Sequence, residues 1–108
     1  MKTLIIVAHP RTNSLTWKIT EEITRGLEEQ KTQYEILDLY REEFNPVLYL
    51  HDEPDYSNPH KVYSPKVTFE MERIRKFDSI MFVFPVWWFN VPAILKGYID
   101  RVFNYGFS

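Results

Sequence analysis

Two short stretches of this chain carry residues suited to chemistry. The first, His9-Pro10-Arg11-Thr12-Asn13-Ser14, supplies an imidazole, a guanidinium and three small polar side chains, then leads straight into an amphipathic run. At a helix N-terminus, unpaired N–H groups and the helix dipole favour a phosphate or another anion, and Arg11 adds positive charge. Ordinary capping accounts for the same residues equally well on this stretch alone, because a turn into a helix needs polar groups. The second stretch, Pro85-Val86-Trp87-Trp88-Phe89-Asn90, crowds aromatic surface between an apolar strand and a new helix. Flat apolar area beside main-chain N–H groups free of sheet pairing suits a planar heteroaromatic ring with polar edges. A single tryptophan there would simply cover the end of a sheet or an interface. Two adjacent ones ask for a ligand.

The elements that must hold these stretches follow from periodicity. Thr3 to Ala8 is a continuous apolar run, the mark of a strand covered on both faces. Leu15, Ile19, Ile23 and Leu27 then recur at every fourth position, predicting an amphipathic helix capped by Asn13 or Ser14. Tyr34 to Leu39 reads as a second strand, so strand, helix and strand form a right-handed βαβ unit. From Arg41 to Ser64 no period is visible. Pro46, Pro54 and Pro59 interrupt the segment, and Phe44, Tyr49, Tyr56 and Tyr63 are scattered through it. Its aromatic content predicts an ordered excursion packed on the domain or on a partner.

Ser64-Pro65 opens a second helix, with Val67, Met71, Ile74 and Phe77 as its apolar stripe. Ser79 to Phe84 reads as an interior strand ended by Pro85, and Asn90-Val91-Pro92 starts a third helix. Val91, Leu95, Tyr98, Ile99 and Val102 share one face of that helix, which is expected to end near Phe103 to Tyr105. Its end leaves Gly106-Phe107-Ser108 as the start of a connection.

Composition narrows the classes. The 108 residues suffice for one domain or part of one, and 44% apolar with 17% aromatic content excludes a disordered chain. A net charge of -2 without a basic block gives no footprint for nucleic acid or an anionic membrane. The absence of cysteine removes disulfides, thiolate nucleophiles, Fe–S clusters and cysteine zinc sites. Leu4 to Ala8 is too short for a signal-peptide core or a membrane span, so a cytoplasmic location is expected. Only Gly26, Gly97 and Gly106 occur, without a GxGxxG pattern, so a Rossmann-type nicotinamide site is unsupported.

The element order predicts an α/β, flavodoxin-like three-layer fold with a parallel sheet in the order 2-1-3. Ligands of such sheets bind beyond the carboxyl ends of the strands, where the order reverses. That point lies between strands one and three, where the two chemical stretches meet. A phosphate on one loop and a flat ring on its neighbour spell a mononucleotide, and a flavin fits best.

The segments LIIVAHPRTNSLTWKI and FPVWWFNVPAILKGYIDRVFNYGF resemble the two signature segments of the NAD(P)H:quinone oxidoreductase family, and DLYREEFNPVL is similar to its segment after strand two. The resemblance covers nearly all of the chain and matches the family's N-terminal portion. It implies one flavodoxin-like domain over residues 1–108 that is C-terminally incomplete, since the family adds two further strands and a third flavin-contacting loop. It also implies a homodimer holding FMN or FAD, which moves a hydride from NAD(P)H to the flavin and on to a quinone-like acceptor. By position, His9, Asn13, Ser14, Leu15 and Thr16 would surround the flavin phosphate, while Pro85, Val86, Trp87, Trp88 and Phe89 would line the isoalloxazine ring. No residue is assigned a catalytic step. His51 and His60 match no catalytic histidine of the family and read as surface residues. The competing readings are a flavodoxin-type electron carrier, against which the near-neutral charge argues, and a truncated fragment without catalysis.

Overall fold

The loop ends that matter for function are set by a parallel sheet whose three strands finish level with one another. The structure, a computed structural model, describes residues 1–104. Strand β1 (Lys2–Val7) lies between β2 (Gln33–Asp38) and β3 (Ser79–Val83), in the order β2-β1-β3. Val7 is in register with Asp38 on one side and with Val83 on the other. The ladder runs one step further on both sides: Leu39 N–H donates to the Val7 carbonyl, and Ala8 N–H to that of Val83, each at 3.1 Å. The next residues of all three chains therefore emerge at one end of the sheet.

Helix α1 (Leu15–Glu29) covers one face. There Ile5, Val7 and Val83 pack against Trp17, Ile23, Leu27 and Tyr34. Helices α2 (Pro65–Arg75) and α3 (Ala93–Val102) cover the other, where Leu4, Ile6, Ala8 and Leu37 meet Val67, Met71, Ile74, Leu95, Tyr98 and Val102. Burying β1 on both faces explains its unbroken apolar run. The helices of the second face are joined by a polar contact: the Tyr98 hydroxyl donates to Glu70 Oε1 at 3.1 Å, and Lys66 pairs with Glu70 Oε2 at 3.0 Å.

Several expected boundaries and faces shift. The inward stripe of α1 is Thr16, Thr20, Ile23 and Leu27 rather than one starting at Leu15. Leu15 is 72% and Ile19 45% exposed, since both sit about a quarter turn away from the sheet. Thr20 tolerates burial because its hydroxyl donates to the Thr16 carbonyl at 2.9 Å. Ser14, not Asn13, is the cap of α1, its Oγ accepting from Trp17 N–H at 3.4 Å. Strand β3 lies at the sheet edge among the described residues, which leaves Met81 and Phe82 partly exposed. Helix α3 starts at Ala93, after Pro92, and closes at Val102 with Phe103 as its cap. The expectations for residues 105–108 lie outside the described residues.

The excursion is ordered, as its aromatics predict. Phe44 and Tyr63 enter the core beside α2 and α3. Asp52, in a short 3-10 turn (Leu50–Asp52), is buried and accepts from both Ser64 N–H and Ser64 Oγ at 2.7 Å. Arg101 of α3 pairs with Asp52 at 3.4 Å and donates to the Asn45 carbonyl at 2.6 Å. Asn104 donates to the Asp52 carbonyl at 2.8 Å. One helix end thus holds both flanks of the loop. Among the described residues, no helix is long and apolar enough to cross a membrane.

Candidate functional site

The loop from β1 to α1 presents an uncommon run of unpaired backbone donors. Arg11 N–H is used, donating to His9 Nδ1 at 3.0 Å, and Trp17 N–H reaches its cap. Between them, the N–H groups of Thr12, Asn13, Ser14, Leu15 and Thr16 meet no acceptor among the described residues. The first turn of α1 holds no acidic residue, so no side-chain carboxylate answers the positive end of its dipole there. Arg11 stays near, with Nη1 3.5 Å from the Asn13 carbonyl and from Asn13 Oδ1. An anion placed here would find several convergent donors. With Nδ1 accepting, the neutral imidazole of His9 carries its proton on Nε2, as one more donor.

The loop from β3 to α3 is a tight turn. Trp87 and Asn90 exchange backbone bonds of 3.0 and 3.1 Å, so the Trp87 N–H is not free as the sequence suggested. Trp88 and Phe89 occupy its centre with φ of 51° and 63°. Two successive positive φ values mark a type I′ turn, which favours Asn and Gly. Bulky aromatics pay a conformational cost of about 1–3 kcal/mol each in that region. Their side chains are 93% and 97% exposed, so no packing on the described residues offsets the strain. The N–H groups of Val86, Trp88 and Phe89 also meet no acceptor among the described residues. Strained, exposed aromatics with open amides are an arrangement that a planar polar ring would complete.

The two loops touch through side chains. The His9 and Trp87 rings meet edge to face, with centroids 5.8 Å apart and planes at 63°. Every sequence-predicted site residue lies on one of these loops or in the first turn of α1, at the carboxyl ends of β1 and β3. They differ in presentation: His9, Ser14 and Thr16 are buried, Pro85 is half-buried, and Asn13, Leu15, Val86, Trp87, Trp88 and Phe89 are exposed. Leu15 and Thr16 therefore offer main-chain N–H groups rather than side chains. His51 and His60 lie exposed in the excursion, away from this cluster, and no group of metal-binding residues occurs among the described residues.

Sequence reasoning missed Arg41 and Asp38. Arg41 follows the carboxyl end of β2 and donates from Nη1 to the Pro10 carbonyl at 2.7 Å and from Nη2 to the His9 carbonyl. Asp38 accepts from Arg41 Nε at 2.9 Å. The available signal was an Asp and an Arg three positions apart, directly where β2 leaves the sheet on the ligand side.

Comparison with known proteins agrees with the fold. The E. coli (strain K12) protein YcaK, an uncharacterized NAD(P)H oxidoreductase, is 47% identical over 104 residues, covering 96% of this chain and 53% of that protein. The solved NAD(P)H:quinone oxidoreductase from Methanothermobacter marburgensis matches with a TM-score of 0.93 at 36% identity, over 98% of this chain and 55% of that one. General stress protein 14 of Treponema denticola, solved in complex with FMN, matches with a TM-score of 0.64 at 27% identity, over 97% of this chain and 49% of that one. The chain spans about half the length of the curated relatives it matches. The family model for the flavodoxin-like fold matches residues 1–108, and the chain, with its β2-β1-β3 parallel sheet, belongs to that family.

Proposed function

We propose that this chain is the flavin-holding portion of an NAD(P)H:quinone-type oxidoreductase. The observation that carries the reading is the His9–Trp87 contact, which sets the open N–H groups of residues 12–16 beside the exposed Trp88–Phe89 turn. Such an arrangement would suit a phosphate and a flat ring side by side. His9, Asn13, Ser14, Leu15 and Thr16 would hold the phosphate, the last two through main-chain N–H groups. Pro85, Val86, Trp87, Trp88 and Phe89 would line the ring and keep water from it. The flavin, FMN or FAD, supplies the hydride chemistry between NAD(P)H and a quinone-like acceptor, so the chain needs no covalent nucleophile of its own. Similarity to proteins named NAD(P)H oxidoreductase and quinone oxidoreductase supports the substrate classes, and the FMN complex of one structural neighbour supports the cofactor. As part of the same reading, the chain is one flavodoxin-like domain completed by further strands, acting in the cytoplasm as a homodimer.

Ser14 tests the phosphate half of the site. Aspartate caps a helix about as well as serine, and although it cannot replace the 3.0 Å bond that Ser14 Oγ donates to the Arg11 carbonyl, Ser14→Asp places a carboxylate among the donors. FMN titration followed by flavin fluorescence should show Ser14→Asp losing more affinity than Ser14→Ala, whose loss is about 1–3 kcal/mol. Equal and negligible losses would move the phosphate elsewhere.

A further inference from the structure

Arg41 is tied to its own turn twice. Its N–H donates to Asp38 Oδ1 at 3.1 Å, and its Nε donates to Asp38 Oδ2 at 2.9 Å. So fixed, the planar guanidinium directs its two remaining nitrogens at successive carbonyls of the neighbouring loop, those of His9 and Pro10. An exposed Arg–Asp pair alone contributes little. Here the pair aims a two-pronged donor at backbone, which lysine cannot imitate.

The consequence passes through one peptide unit. The C=O and N–H of a trans peptide point in opposite directions. Holding the Pro10 carbonyl towards Arg41 turns the Arg11 N–H the other way, onto His9 Nδ1 at 3.0 Å. That bond selects the Nε2–H tautomer of His9 and fixes the plane of its ring against Trp87. Asp38, Arg41, the Pro10–Arg11 peptide, His9 and Trp87 form one continuous line across the ends of all three strands.

We infer that the Asp38–Arg41 pair is a positioning latch: it orients the Pro10–Arg11 peptide and thereby sets the His9 tautomer and ring plane that join the two ligand loops. Its effect on ligand affinity rests on the flavin reading, whereas its effect on His9 does not.

The test uses the 108-residue chain and its Arg41→Ala, Arg41→Lys and Asp38→Asn variants, with FMN as probe. Nitrogen-15 NMR of the imidazole should report the Nε2–H form of His9 in the parent chain and a tautomer mixture in Arg41→Ala, with a shifted Arg11 amide. FMN affinity should fall about tenfold or more in Arg41→Ala, the scale of lost charge-assisted hydrogen bonds. Arg41→Lys keeps the charge without the fork and should stay impaired, and Asp38→Asn should move His9 the same way. An unchanged His9 tautomer in Arg41→Ala, or full recovery of both readouts in Arg41→Lys, would overturn the latch. If the parent chain binds no FMN, the flavin reading fails and the tautomer alone decides on the latch.

Discussion

Gly97 of α3 and Pro46 of the excursion approach so closely that a Cβ built on the glycine would lie 2.2 Å from the proline Cβ and 2.3 Å from its carbonyl oxygen. The loop crosses the helix where the helix has no side chain. Together with Arg101 and Asp52, this crossing keeps residues 45–64 on the domain.

Gly97→Ala therefore pits two effects against each other. Helix propensity gains up to about 1 kcal/mol, but backbone atoms of Pro46 must move, and overpacking of this kind costs about 1–3 kcal/mol. The clash should win. Urea denaturation is expected to show a net loss of stability, with faster proteolysis within residues 45–64; a stabilised variant would show that the loop yields freely.

The turn at Trp88 and Phe89 predicts a trade between stability and binding. Trp88→Asn combined with Phe89→Gly installs the pair that type I′ turns favour. The double variant should gain about 1–3 kcal/mol in urea denaturation, less than the summed strain of the two residues because the new glycine adds entropy to the unfolded chain. It should also lose FMN affinity. A gain in stability with unchanged FMN binding would leave the strained aromatics without a ligand to explain them.

Two buried groups contribute to the pH limits of stability. Burial pushes the Asp52 carboxyl up, but hydrogen bonds from Ser64 and the Arg101 guanidinium outweigh it and hold the group below its usual value of 3.8. A depressed acid stabilises the fold above that value, and its contribution is lost as pH falls below it. Tyr98 runs the other way. Burial, then the Glu70 carboxylate, raises its hydroxyl well above the usual 10.0, so its contribution holds below pH 10.0 and is lost as pH rises beyond it. Melting temperature against pH should show both limbs. Asp52→Asn should flatten the acid limb while costing about 3 kcal/mol at neutral pH, since it leaves Arg101 buried beside a neutral partner. Tyr98→Phe should weaken the alkaline limb. A parallel shift of the whole curve in either variant would assign the limbs to other groups.

Legibility in the sequence followed how local each interaction is. The runs at 3–8 and 79–84 and the polar loop before Leu15 are consecutive in the chain, so the strands and their order could be read directly. The buried face of α1 could not. Leu15 and Ile19 fit the period as well as Thr16 and Thr20 do, and only contact with Ile5, Val7 and Val83 decides which residues turn inward. The turn type at Trp88 was likewise hidden, because its residues are ones that such turns disfavour. Arg41 and Gly97 were invisible for a third reason: their partners lie 31 and 51 positions away, at Pro10 and Pro46, and no local pattern records a long-range backbone contact.

If one ligand spans both loops, the backbone amides of both must respond to it together. On adding FMN to the nitrogen-15-labelled chain, the resonances of Thr12 to Thr16 and of Val86 to Phe89 should move together, with one saturation curve. Riboflavin, which has no phosphate, should move the second set and leave the first nearly still. Movement confined to one loop, or centred instead on a separate cleft lined by Glu35, Glu42, Phe69, Arg73 and Phe77, or absent at saturating FMN, would contradict a shared ligand.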